Sequence, residues 1–71
     1  MSLHIHAPKG VYVAQVRKPY QRMWETVGPE FECVHDAEIA AIEGMTREHK
    51  KARVLFCAEW YDPIVVMEAS R

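Results

Sequence analysis

Prolines decide more about this chain than any other feature, because each stands beside a residue that also favours a turn. Pro8 with Gly10, Lys18-Pro19-Tyr20, Gly28-Pro29 and Asp62-Pro63 divide the 71 residues into five pieces. Proline locks φ and donates no backbone hydrogen bond, so helices and central strands do not run through such points. Residues 1–10 read as a flexible N-terminal tail. Val11 to Arg17 is rich in β-branched and aromatic residues and predicts a strand. Met23 to Val27 predicts its partner. Beyond Gly28-Pro29, Phe31 and Cys33 alternate with Glu30 and Glu32, which continues that second strand across a bend.

One helix is predicted, of about 16 residues. Asp36 is its expected N-cap, since a carboxylate there accepts from the free amides of the first turn. Ile39, Ile42, Met45, His49 and Ala52 recur at spacings of three and four and predict one apolar stripe facing the sheet. Glu43 to Arg47 is an i,i+4 pair on another side. Lys50, Lys51 and Arg53 suit the negative C-terminal end. Gly44 within this helix reads as close packing of helix on sheet. Val54 to Tyr61 and Ile64 to Ala69 then predict two further strands about the Asp62-Pro63 turn. The fold class is therefore α+β, in the order ββαββ. An antiparallel sheet of about four strands carries one helix packed across one face. The 71 residues form a single domain.

The last two strands are apolar on both faces. Val54, Phe56, Ala58 and Trp60 alternate with Leu55, Cys57 and Tyr61, and Val65, Met67 and Ala69 alternate with Ile64 and Val66. A sheet covered on one side only is normally polar on the other. One helix covers one face, so a second copy of the chain is expected against the other. A domain of this size also buries only about 60% of the surface its unfolded chain exposes, and a partner is a usual supplement.

The composition, 49% hydrophobic and 27% charged, is that of a folded protein. No apolar run reaches the roughly 18 residues of a membrane span. The start, MSLHIHAPKG, lacks the pattern of a secretion signal, and two cysteines make no disulfide framework. A cytoplasmic location is expected. Net charge is −1, which disfavours nucleic acid as a partner. The charges are nonetheless segregated. Residues 1–24 carry only bases, 25–43 only acids, and Arg47, Lys50, Lys51 and Arg53 follow against Glu48. Such blocks pair within one sheet or between two copies.

Few residues invite chemistry. His4-x-His6, Cys33-x-His35, and His49 with Cys57 offer zinc-type donors, but no CxxC or HxxxH knuckle occurs. The expectation is no metal and no cofactor, with His49 a satisfied core histidine. Cys57, amid Leu55, Phe56 and Ala58, reads as inert core. Cys33, before a helix N-terminus and two residues from His35, has the setting that lowers a thiol pKa, so a reactive reading stays open beside a plain structural one. Glu59, Asp62 and Glu68 read as solubilising groups on a hairpin, and no catalytic residue is assigned. Tyr12, Arg17, Lys18, Tyr20, Arg22 and Trp24 interleave bases with aromatics on the first hairpin. This pattern suits a protein-binding hot spot or a stacking platform for single strands; a cross-strand Tyr12–Trp24 pair is the structural alternative.

The layout WETVG…F…A…ARVLFCAEWYDP…VMEA resembles the short, dense α+β proteins encoded by temperate phages and prophages. That resemblance implies a small accessory or host-modulating protein that acts by binding. The expected function is a non-catalytic protein-interaction module, homodimeric, with a protein partner and no membrane. Its candidate interaction surface is Arg17, Lys18, Tyr20, Arg22, Trp24, Leu55, Tyr61 and Val66. The alternative is a nucleic-acid-binding regulator using the basic first hairpin and the Lys50–Arg53 cluster.

Overall fold

The computed structural model describes residues 10–59 and 61–70. The elements run β1 (Gly10–Arg17), β2 (Glu25–Phe31), α1 (Val34–Gly44), β3 (Lys51–Ala58) and β4 (Ile64–Ser70). All four strands join one antiparallel sheet in the order β2-β1-β3-β4. The helix packs across one face, against β1, β2 and β3. The expected ββαββ order and α+β class hold. Residues 1–9 of the predicted tail, with His4 and His6, lie outside the described residues, and so does Trp60; Gly10, the last residue of that tail, instead belongs to β1.

The turns form where proline places them. After β1 the Gln21 amide donates to the Lys18 carbonyl at 3.1 Å, closing the chain around Pro19. Strand β2 does run on past Gly28-Pro29, but only as an edge strand with its ladder interrupted. Ala14 pairs with Val27 and Tyr12 with Phe31, so extra residues accumulate on β2 around Gly28, whose φ is +75°. That left-handed backbone suits glycine, and proline is tolerated because this edge needs no further amide donors.

The helix differs from its prediction in start, end and register. It begins at Val34, with Cys33 as the N-cap and no side-chain cap bond. Asp36 sits inside the first turn, where its charge still favours the positive helix end. It ends at Gly44, so Glu43 and Arg47 do not share one helix, and Lys51 and Arg53 fall at the start of β3, with Lys50 just before it, instead of at the helix C-terminus. The buried stripe is Ala37 and Ala41, with Met45 just beyond the helix. Ile39 and Ile42 point outward at 43% and 47% exposure, so the expected stripe does not face the sheet at these two positions.

The physical reason lies in the sheet. Its central helix-facing residues are Ala14, Val16, Ala52 and Val54, all buried. Alanines on both layers let the two backbones approach closely, and Gly44 shows how closely. A Cβ there would stand 3.1 Å from both Cγ atoms of Val27. Isoleucine has no room on that face. Larger residues such as Tyr12, Val27, Phe31 and Met67 close the margins. Among the described residues four of the seven buried apolar ones are alanine, each a single methyl worth about 0.8 kcal/mol on burial. The core is thin.

His49 is buried and fully engaged, as expected of a core histidine, though from the turn after the helix. Its Nδ1 accepts from the Thr46 amide at 3.1 Å and lies 2.8 Å from the Thr46 hydroxyl. Its Nε2 stands 2.7 Å from the Glu25 carboxylate. An amide donor at Nδ1 places the ring proton on Nε2, aimed at Glu25. The contact ties the turn to the first residue of β2.

Candidate interaction face

Alternation along the strands leaves a second sheet face that the helix does not cover. Gln15, Arg53 and Glu68 form one row across it, with Thr26 at the end, because Gln15 pairs with Thr26 and Arg53, and Arg53 with Glu68. On one side of this row Val13, Leu55 and Val65 align, followed by Val11 beside Cys57. On the other side Arg17 pairs with Lys51, and Lys51 with Ser70. The face is thus apolar at one end and basic at the other.

Trp24, immediately before β2, organises the basic end. The Arg53 guanidinium carbon lies 4.1 Å from the indole centroid and that of Arg17 5.1 Å. Arg53 Nε donates to Gln15 Oε1 at 2.8 Å, and the Gln15 amide donates to Thr26 Oγ1 at 3.3 Å. Burial, and then the neighbouring Arg17 charge, lower the pKa of Arg53, while Glu68 opposes them. Among the described residues neither Arg17, Lys51 nor Arg53 has a carboxylate within salt-bridge distance. The Arg17 Nε is buried there with no hydrogen-bond partner. Beside the indole lies a groove of about 320 Å³, bounded by Trp24, Lys51, Glu68 and Ser70. Chemically this end offers directed N–H donors and a π surface, which suits reversible binding.

The eight candidate residues separate into three groups. Arg17 and Trp24 meet in the basic cluster. Leu55 is half-buried in the apolar rows; Val66, exposed, is the extra residue where the β3–β4 register shifts between Val54 and Leu55; Tyr61 is exposed in the turn between those strands. Lys18, Tyr20 and Arg22 belong to the first hairpin loop. There the Lys18 ammonium lies 3.2 Å from Glu48, a hydrogen bond and charge contact that raise its pKa. Tyr20 and Arg22 are exposed. The register shift also corrects the last strand: Val65 shares a face with Leu55, while Met67 and Ala69 pack toward the helix side.

Tyr12 and Trp24 are not a cross-strand pair. Tyr12 packs on the helix side, its ring 5.1 Å from that of Phe56. Sequence reasoning missed the join of Arg53, Lys51 and Gln15 to Trp24, because Arg53 was assigned to the helix. Its signal was present: Arg53, Leu55 and Cys57 alternate, as residues on one strand face do. The exposed Ile39 and Ile42 were missed likewise; with His35, Glu38 and Glu43 they line a shallow depression on the outer side of α1. Cys33 is exposed, Cys57 half-buried, and both are free thiols. Among the described residues no three His, Cys, Asp or Glu side chains form a group able to hold a metal ion. No helix among them is long and apolar enough to cross a membrane.

Fold and face together define a small open-sheet α+β domain with one helix-free face, half apolar and half basic. Comparison with known proteins finds no family model, no curated protein and no solved structure that matches the chain.

Proposed function

We propose that the protein is a non-catalytic protein-interaction module whose first partner is a second copy of itself, joined along β4 and the adjoining apolar rows. The observation that carries this reading is the contrast between the two sheet edges. Strand β2 is broken at Gly28-Pro29 and carries Glu25 and Glu30, features that blunt an edge against pairing. Strand β4 has no proline or lysine, and its Ile64, Val65 and Val66 are all exposed. Its one bulge, at Val66, leaves Met67 to Ser70 in regular register. Backbone groups on its outer side are available to another strand, and the Val13–Leu55–Val65 row beside it supplies apolar area.

The thin core adds a thermodynamic argument, since a domain this small gains much from a shared interface. A host-modulating or inhibitory role in the cytoplasm, of the phage accessory type, is the biological form of the proposal. Sedimentation equilibrium tests it: at tens of micromolar the expected mass is twice the 8.2 kDa chain, and a monomer at that concentration overturns the reading.

A further inference from the structure

We propose that the basic end of the helix-free face binds single-stranded nucleic acid, a base lying in the groove against Trp24 and the phosphodiester chain held by Arg17, Lys51 and Arg53. The proposal does not rest on the β4 edge reading, although Glu68 and Ser70 of the groove belong to that strand.

Register alone gathers the cations. Arg17 pairs with Lys51, and Arg53 lies one row further on the same face, so two basic segments distant in sequence meet around one indole. Their charges repel, and among the described residues no carboxylate bonds any of the three. An anion bridging them would supply the missing charge. A phosphate oxygen is also a natural acceptor for the guanidinium donors that the sheet leaves free.

Net charge does not argue against this, because six of the ten acids lie between Glu25 and Glu43, in β2 and the helix region. The groove chooses among anions. Its Trp24 wall offers an aromatic surface on which a base stacks, while Arg53, outside the groove lining, lies over the same ring 4.1 Å from its centroid. Glu68 and Ser70 also line the groove. A carboxylate there repels a phosphodiester and an acidic peptide alike, but it accepts hydrogen bonds from the exocyclic amines of bases, which an acidic side chain does not offer. A ligand carrying anion, π face and amine donors together fits all of these groups. The volume, about 320 Å³, admits a base but not a duplex, whose bases are already stacked on one another.

The test uses the full chain with W60F, which leaves Trp24 as the sole indole of two. Fluorescently labelled 15-nucleotide single strands of DNA and of RNA, mixed in sequence, are titrated while anisotropy and Trp24 emission are followed. Binding that quenches Trp24 is expected, weakening from 50 to 200 mM salt with a log–log slope of about −2, as three phosphate contacts on a single strand give. W24A should weaken binding about tenfold or more, through the lost stacking. K51Q alters an exposed side chain and should weaken binding and flatten the slope by about 0.7, with an unchanged circular dichroism spectrum. If W24A fails to fold, K51Q carries the test alone. DNA against RNA reports whether a 2′-hydroxyl is read. Three results overturn the proposal: no binding of either single strand at 50 mM salt, equally tight binding of the matching duplex or of a poly-glutamate peptide, or a K51Q protein with undiminished affinity.

Discussion

At the residue scale, alanine carries the helix–sheet contact and isoleucine does not. Ala41 is fully buried against a layer that includes Ala14 and Ala52, whereas Ile42 is nearly half exposed. Ala41→Leu should therefore destabilise by about 1–3 kcal/mol, the usual cost of forcing methylenes into a packed site. Ile42→Ala should stay within about 0.5 kcal/mol, as exposed substitutions do. Denaturant midpoints of the two variants decide it, and equal effects would mean that the helix turns its other side to the sheet. His49 makes a second case. Removing its ring in His49→Ala leaves the Thr46 amide without its Nδ1 acceptor and Glu25 without its partner. Losing both contacts of a buried ring should cost about 1–3 kcal/mol. Glu48→Gln makes the contrast: it removes the charge from the exposed contact to Lys18 and should leave thermal stability nearly unchanged. Because this contact raises the Lys18 pKa, whatever it contributes is complete below the ordinary ammonium range. It fades only as pH rises through the raised value, so Glu48→Gln should differ from the parent equally at pH 6 and pH 8.

At the scale of elements, the two outer strands have opposite characters. Strand β2 is an edge shaped by Gly28 and Pro29, and β4 is an edge left open. Val65→Lys places a charge on the apolar row beside Leu55 without touching the buried core. It should halve the sedimenting mass while amide exchange in β1 and β3 remains slow. A dimer that survives this change, with β1 and β3 still protected, would move the contact away from β4. The helix belongs to the same scale. Its 11 residues would be marginal alone in water, so packing on the sheet supports it, and it ends at Gly44, where a Cβ would crowd Val27.

At the scale of the whole molecule, layer and charge are arranged together. The acids of β2 and α1, the shallow core and the helix-free face follow from one helix serving four strands. Strand count, order and class were legible in the chain, since proline turns and period-2 alternation are local properties. So was the satisfied state of His49. The helix register was not. Ile39–Ile42 and Ala37–Ala41 are both helical stripes, and periodicity cannot tell which one faces inward when the deciding quantity is the distance to another layer. The basic cluster was half legible: Arg17 and Trp24 adjoin the same hairpin, but Arg53 reaches them only through the β1–β3 register. Local chemistry settles where a chain turns and which segments extend. How near two layers come, and which distant charges share one face, depends on packing and register that exist only once the sheet has closed.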